Sequence, residues 1–187
     1  VDIGMGLCRM GGSALHQILN LQGGDAPRIN NLSLLHNFFN FTQTCLKKNI
    51  LEGYHDRSDG GLVTSLIEMA FASNKSINFT HQCKTNNKLY KFLFNEELGA
   101  VIQVKNHFLE EVREKFINSE IQLSNIGCLN QSYDLRILHE DKEIFRESLE
   151  NLHKTWHRTS YEIQKIRDNK ITSENEFKYI GTVSYTH

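Results

Sequence analysis

The sequence has little of several features that would point to a particular class of protein. Its 4 cysteines are scattered over 187 residues without a Cys-x-x-Cys pair, which argues against structural zinc and a disulfide framework and favours buried free thiols. No apolar run is long enough to span a bilayer, and no signal peptide opens the chain. A net charge of -1 gives no electrostatic reason to expect nucleic acid or an acidic membrane surface. We therefore predict a cytoplasmic protein with no nucleic-acid partner and no membrane association.

The common catalytic and nucleotide-binding motifs are also missing. The chain contains neither Gly-x-Gly-x-x-Gly nor the Lys-Ser/Thr phosphate-loop motif, and its spacing suggests no Ser-His-Asp or Cys-His arrangement. His153 and His157 are four residues apart and can share a helix face, as metal ligands do. Because no acidic or cysteine partner follows at a matching spacing, we favour solvated helix residues. The chain opens at Val1 without an initiator Met, so we expect it to be part of something longer.

The most informative stretch is the Asp56–Gly61 loop, Asp56-Arg57-Ser58-Asp59-Gly60-Gly61. It stands directly before an apolar-periodic run, Leu62 to Phe71, and this order predicts the N-terminus of a helix. N–H groups there can receive phosphate oxygens, and the two carboxylates can hold the divalent cation that accompanies phosphates. Simple helix capping by Asp or Ser is the alternative, and the local pattern alone favours it.

The rest of the sequence alternates helical and strand patterns, which predicts a two-layer α/β or α+β domain, a mixed sheet packed with helices. A polar stretch, 170–187, is predicted to be a poorly ordered tail. The predicted helices are Ala14–Leu19, 33–48, 62–71, 108–117 and a long one carrying the stripe Leu149, Leu152, Trp156, Ile163 and Ile166, with Trp156 in core or inter-domain packing. The predicted strands are Ile77–Thr80, Gly99–Val104, and a hairpin of Ile121–Leu129 with Ser132–His139 joined at Asn130-Gln131.

Six short sequence segments, or blocks, which occur in the order typical of the family, give the chain a resemblance to the phosphoribosylformylglycinamidine synthase family. The chain resembles the C-terminal part of the synthetase region of these proteins. The blocks are Val1-Asp2-Ile3-Gly4, Met10-Gly11-Gly12-Ser13-Ala14-Leu15, His55 to Leu62, Glu68-Met69-Ala70-Phe71-Ala72, Phe94 to Val104, and Gln164-Lys165-Ile166-Arg167-Asp168-Asn169. They cover the chain from Val1 to about Asn169. The resemblance implies a domain over 1–169 with the fold of the aminoimidazole ribonucleotide synthetase-like superfamily, C-terminal domain.

The family converts formylglycinamide ribonucleotide, ATP and glutamine into formylglycinamidine ribonucleotide, ADP, phosphate and glutamate, with glutamine-derived ammonia as the nucleophile. It is an ATP-dependent carbon–nitrogen ligase of purine biosynthesis. By resemblance, Asp56 is a Mg²⁺ ligand, Ser58 contacts ATP, and Gly60 and Gly61 form the nucleotide-binding turn. Asp59 would help to shape this turn, and His55 would orient its neighbours. With this resemblance, a phosphate and metal site is favoured over helix capping for the loop. No catalytic residue is predicted.

Two other blocks carry weaker expectations. Gly12-Ser13 is a second candidate for contact with phosphate, although a tight start to a helix is the favoured interpretation. Asn95-Glu96-Glu97 can supply a polar contact beside the site, but we favour a helix-to-strand turn with solvated acids.

The resemblance also implies partners outside this chain. The N-terminal half of the synthetase and the C-terminal glutaminase domain are expected elsewhere, so the isolated chain is predicted to be inactive and none of its cysteines is taken as the glutaminase nucleophile. Two alternatives remain open. One is a related ATP-dependent enzyme, either aminoimidazole ribonucleotide synthetase or selenophosphate synthetase. The other is a structural nucleotide-binding domain that does not turn over.

Overall fold

A computed structural model describes residues 1–81 and 86–181 of the chain, so that Cys83 and residues 182–187 lie outside it. Helices alternate with the strands of two sheets, which confirms the predicted mixed α/β class. The helices in these residues are α1 (Ala14–Ile18), α2 (Leu32–Lys47), α3 (Gly61–Ser73), α4 (Asn86–Phe94), α5 (Leu109–Asn118), α6 (Leu149–Arg167) and α7 (Lys170–Lys178). The strands are β1 (Leu51–Asp56), β2 (Ser76–His81), β3 (Ala100–Val104), β4 (Gly127–Asn130), β5 (Asp134–His139) and β6 (Lys142–Ser148). No helix of the described residues has both the length and the apolar character needed to cross a bilayer.

The described residues divide into two compact units. Among these residues, unit 1 comprises 1–69 and 86–126, and unit 2 comprises 70–81 and 127–181.

Unit 1 contains a two-stranded antiparallel sheet, in which Asp56 at the end of β1 pairs with Ala100 at the start of β3. Helix α2 begins where the Asn31 side chain accepts a hydrogen bond from the backbone N–H of Leu34, at 3.2 Å. Its apolar residues recur at helical spacing and enter a buried cluster with those of α5, where the rings of Phe41 and Phe116 are 4.1 Å apart. The buried members of this cluster are Ile3, Leu34, Phe38, Phe41, Cys45, Ile50, Ala100, Val112, Phe116 and Ile121.

Unit 2 contains a four-stranded sheet in the order β4-β2-β5-β6. Strand β2 is antiparallel to β4 and parallel to β5, so the predicted hairpin of β4 with β5 is wrong. Strand β5 forms close to its predicted range, whereas β4 overlaps only the last three residues of the predicted Ile121–Leu129, and β2 lies between the two strands. Phe79 of β2 is completely buried and is paired in register with Ile137 of β5. Burial of this central strand explains why a pairing distant in sequence replaces the local one.

The hairpin that does form joins β5 to β6, a strand that the sequence did not predict. Its turn residues Glu140 and Asp141 have φ of 49° and 63°, and two successive positive φ values are the signature of a tight hairpin turn. Residues 142–146 of β6 are all exposed, at the edge of the sheet. An edge strand of this kind lacks the alternation of apolar and polar residues by which strands are recognised.

Helix α6 corresponds closely to its predicted range, but its stripe is less buried than predicted. Trp156 is 53% exposed and Ile166 is 88% exposed, whereas Leu149 is buried. In place of the poorly ordered tail predicted from Lys170, the structure has helix α7. Asn169 caps its N-terminus, and the ring of Phe177 stacks on Tyr161 of α6 with centroids 4.2 Å apart. This aromatic pair, together with a hydrogen bond from Gln164 Nε2 to Glu176 Oε2 at 2.7 Å, holds a polar helix that lacks an apolar stripe of its own.

Candidate functional site

The Asp56–Gly61 loop leaves the sheet of unit 1 with alternate side chains on opposite sides. Asp56 and Ser58 are exposed, whereas the side chain of Arg57 between them is 7% exposed. The Arg57 N–H donates to Gly99 O at 2.9 Å and extends the pairing of β1 with β3 by one residue. Because successive side chains of an extended chain point in opposite directions, the carboxylate and the hydroxyl face solvent together.

Arg57 anchors the loop from its buried side. Its Nη1 donates to Asn95 Oδ1 at 2.8 Å and lies 3.4 Å from Asp2 Oδ1. Its Nε is buried and has no hydrogen-bond partner among the described residues. A guanidinium fixed in this way keeps the loop from rotating, so that the outward direction of Asp56 and Ser58 is set by a residue that does not itself face solvent.

Asp56 is held at both its side chain and its backbone. The Tyr54 hydroxyl donates to Oδ1 at 2.6 Å, and burial, followed by the bond to this carboxylate, raises the pKa of Tyr54 above its ordinary value. The phenol therefore remains a donor at neutral pH. Ser65 Oγ of α3 donates to the Asp56 carbonyl at 3.0 Å, which fixes the end of β1 against the first turns of the helix.

His55 lies beside the same carbonyl. Its Nδ1 is 2.6 Å from Asp56 O, and its Nε2 is 3.0 Å from Glu68 Oε2 on α3. The imidazole thus bridges the strand and the helix on either side of the loop.

The two glycines make the turn into α3. Gly60 and Gly61 have φ of 84° and 73°, a region in which only glycine is unstrained. The Gly60 N–H donates to Glu96 Oε1 at 2.9 Å, and the Gly61 N–H donates to Ser58 O at 2.9 Å. Both N–H groups are therefore used inside the protein, and the groups that the loop presents to solvent are the side chains of Asp56, Ser58 and Asp59.

The Gly12-Ser13 turn follows its favoured interpretation as the start of a helix. Ser13 is the N-cap of α1, where its hydroxyl accepts from His16 N at 3.4 Å, and its side chain is almost completely buried. The next N–H, that of Ala14, donates to Glu96 Oε1 at 2.8 Å. This turn and the Asp56–Gly61 loop therefore share one carboxylate oxygen.

The helix-to-strand turn predicted at Asn95-Glu96-Glu97 forms between α4 and β3, but the prediction of solvated acids is wrong, since Glu97 is buried and Glu96 is half-buried. Asn95 and Glu97 are each 1% exposed. Glu97 receives the Arg9 guanidinium, with Nε 2.6 Å from Oε1 and Nη2 2.7 Å from Oε2, and Glu96 accepts the two backbone bonds described above. The segment is a buried polar junction beside the loop. Its partners lie far away in sequence, so no local pattern reveals them.

The donor set of the loop suits a hard divalent cation. Mg²⁺ prefers oxygen ligands and is commonly held by one or two protein carboxylates, with waters and substrate phosphates completing its shell. Asp56 offers an exposed carboxylate, with the exposed Ser58 hydroxyl two residues away. Residues 1–81 and 86–181 contain no group of three or more His, Cys, Asp or Glu side chains placed to hold a metal ion. A cation here would therefore need further oxygens from a nucleotide, water or another part of the protein.

The His153–His157 pair lies in unit 2. The two rings are 5.4 Å apart on α6, and His153 stacks on Phe71 with centroids 4.5 Å apart. Burial and the neighbouring His157 lower the pKa of His153. His153 is therefore partly packed against an aromatic ring and is less solvated than the sequence predicted.

Comparison with known proteins shows the family to which the chain belongs. Residues 3–139 match the family described as AIR synthase related protein, C-terminal domain. The chain belongs to this family. It is also 36% identical over 185 residues to phosphoribosylformylglycinamidine synthase of Schizosaccharomyces pombe, covering 97% of this chain and 14% of that protein. The resemblance inferred from the sequence blocks is thereby confirmed, and the chain spans about a seventh of this relative.

Solved structures support the fold. PurLQS from Thermotoga maritima matches with a TM-score of 0.58 at 10% identity, over 74% of this chain and 24% of that chain. PurL of the same organism complexed with ATP matches with a TM-score of 0.52 at 12% identity, over 63% and 20%. PurL complexed with FGAR matches with a TM-score of 0.54 at 13% identity, over 64% and 20%. At these identities, the likeness establishes the α/β fold of this family.

Proposed function

We propose that the chain forms part of a phosphoribosylformylglycinamidine synthase and contributes one wall of its Mg-ATP site. The complete enzyme would convert formylglycinamide ribonucleotide to formylglycinamidine ribonucleotide with ATP and glutamine-derived ammonia, in the cytoplasm. The N-terminal synthetase half and the glutaminase domain would come from outside these 187 residues. Support comes from the 36% identity to a synthase of this name and from a solved relative of the same fold that binds ATP.

One observation carries the residue assignment: Asp56 and Ser58 face solvent together on a loop whose intervening Arg57 is buried. We assign Asp56 as a Mg²⁺ ligand and Ser58 as a hydrogen-bond partner of the nucleotide phosphates. Tyr54 bonds Oδ1 of Asp56, so Oδ2 is the oxygen that we assign to the cation. Gly60 and Gly61 act in this proposal by shaping the nucleotide turn.

The proposed role of these residues is positioning and charge neutralisation. When bound, Mg²⁺ would offset the negative charge that accumulates on transferring phosphoryl oxygens. Asp56 would fix the cation relative to the loop, and Ser58 would orient a phosphate oxygen by a hydrogen bond. Arg57, Ser65 and His55 would keep the Asp56 backbone from moving as ligands arrive, which preserves the alignment on which such catalysis depends.

The test compares Asp56→Asn with Asp59→Asn in the complete enzyme. Both carboxylates are exposed in the same loop, but only Asp56 is assigned to the metal, so Asp59→Asn is the matched control. We expect Asp56→Asn to lower kcat by at least about 10²-fold, comparable to the loss of a preorganised electrostatic group, and to raise the Mg²⁺ concentration required. Asp59→Asn should stay within about threefold of the wild type for both, since no transition-state contact is assigned to it.

The same pair of variants distinguishes a nucleotide site that turns over during the reaction from one that holds a nucleotide for structural reasons. Loss of amidine formation with normal assembly supports a catalytic Mg-ATP site. Loss of assembly in Asp56→Asn alone would favour the structural nucleotide-binding alternative. Equal activity of Asp56→Asn, Asp59→Asn and the wild type would refute the metal assignment.

A further inference from the structure

We propose that Glu96 is a positioning residue for the nucleotide loop, acting through the backbone of Gly60. This inference rests on the proposed function, because the loop that Glu96 fixes carries Asp56 and Ser58. The observation behind it is that one carboxylate oxygen, Glu96 Oε1, accepts from two backbone N–H groups of separate segments, Gly60 at 2.9 Å and Ala14 at 2.8 Å.

The backbone that carries Glu96 is itself fixed on both sides. Asn95 Nδ2 donates to Lys91 O at 2.6 Å, which ties the residue to the C-terminal turn of α4. Glu97 is held by the Arg9 guanidinium and also accepts the Arg9 N–H at 2.9 Å. Because Asn95 and Glu97 are each 1% exposed, Glu96 projects from a rigid, buried segment, and its carboxylate can impose a position on the turn that it contacts.

Gly60 is the point at which such a constraint matters most. It lies two residues after Ser58 and has a φ of 84°, so glycine's wide conformational range leaves this turn free unless something holds it. The hydrogen bond from the Gly60 N–H to Glu96 Oε1 at 2.9 Å supplies that hold. Glu96 therefore selects one conformation of the turn and thereby the direction in which Ser58 and Asp56 face solvent.

The same bond defines what Glu96 does not do. Since its Oε1 already accepts both N–H groups, its role requires a hydrogen-bond acceptor at this place and not a negative charge as such. Glutamine keeps a carbonyl oxygen at the same position, whereas alanine removes the acceptor. Glu96→Gln and Glu96→Ala therefore separate a positioning acceptor from a charged ligand of the cation.

The first readout needs no nucleotide. In the complete protein without ligand, we expect hydrogen exchange of the peptide containing Gly60 to be at least tenfold faster in Glu96→Ala and within threefold of wild type in Glu96→Gln. Glu110→Ala is the control, because Glu110 is 75% exposed and pairs only with the neighbouring Arg113 among the contacts of its side chain that are described. Unchanged exchange in Glu96→Ala would overturn the proposal.

The second readout compares the change in the KM for Mg-ATP with the change in kcat. We expect Glu96→Ala to raise KM at least tenfold and to lower kcat by a smaller factor, with Glu96→Gln restoring both to within threefold of wild type. If Glu96→Gln is as impaired as Glu96→Ala, the charge itself is required and the positioning role is overturned. A wild-type enzyme that shows no Mg-ATP dependence would refute the proposed function, and with it the positioning role, even if the exchange result holds.

Discussion

Replacing Gly61 by alanine tests how the Asp56–Gly61 loop is built, and Gly12 provides a matched control. Both glycines have positive φ, 73° at Gly61 and 77° at Gly12, so alanine pays a similar backbone penalty of about 1–2 kcal/mol at either position. The surroundings differ. A Cβ on Gly61 would lie 2.7 Å from the carbonyl oxygen of Asn95 and 2.8 Å from Phe94 Cα, whereas at Gly12 no atom of the described residues comes within 4 Å.

The expected loss of stability is larger at Gly61 because a steric cost adds to the backbone cost at this position alone. The overlap is with backbone atoms, which cannot rotate away as a side chain does, and overpacking of this kind costs about 1–3 kcal/mol. We therefore expect Gly61→Ala to lower the free energy of unfolding by about 2–5 kcal/mol and Gly12→Ala by only about 1–2 kcal/mol. Urea denaturation followed by circular dichroism measures both, provided that the m-value is unchanged. Equal destabilisation by the two variants would refute the claim that the loop is packed directly against the end of α4.

Two further predictions concern other contacts of the described residues. Ser65→Ala removes a fully buried hydroxyl that bonds the carbonyls of Asp56 and Gly61 at 3.0 and 3.2 Å, so we expect the free energy of unfolding, measured by urea denaturation, to fall by about 1 kcal/mol. Ser73→Ala, at the exposed end of the same helix, should change this free energy by no more than about 0.5 kcal/mol. Equal effects of the two variants would contradict the role of the Ser65 hydroxyl in fixing β1 against α3. The pKa of His153 is lowered in the folded state, so on acidification the unfolded state binds the proton of this residue first. The contribution of neutral His153 to the free energy of unfolding is therefore present above the ordinary histidine pKa and is lost as pH falls from about 6.5 towards the folded value. His153→Gln should flatten that part of the stability–pH curve, and an unchanged slope between wild type and variant would exclude His153 as its source.

Most helices of this chain follow from local patterns, although α4 was not predicted. Apolar spacing predicted α2 to within a residue of its observed limits and the stripe of α6, because burial of one face imposes a 3.6-residue period that is visible in the sequence. Helix α5 also lies within a residue of its predicted limits. The strand Gly99–Val104 was predicted for a comparable reason, its run of β-branched residues. Helix α7 was missed because it is held by the stacked pair of Tyr161 and Phe177 and by the hydrogen bond from Gln164 to Glu176, and not by an apolar stripe.

Strand pairing was beyond the reach of local patterns. Strands β4 and β5 are neighbours in sequence, and a hairpin was the natural prediction, but β2 lies between them. A central strand that buries Ile77 and Phe79 gains more from having a neighbour on each side than the short connection gains from closing a hairpin. Such a comparison depends on segments far apart in the chain.

The sequence by itself determined the chemistry that is available: a loop with an aspartate, a serine and two glycines at the start of a helix, within blocks that identify the family. Only the tertiary structure decided which of those groups face solvent. It buried Arg57 behind Asp56 and Ser58, directed the Gly60 N–H to Glu96, and buried Glu97, an acid predicted to be solvated. The physical reason is that burial and hydrogen-bond partnership are settled between residues remote in sequence, whereas residue type and spacing record only what each segment can offer.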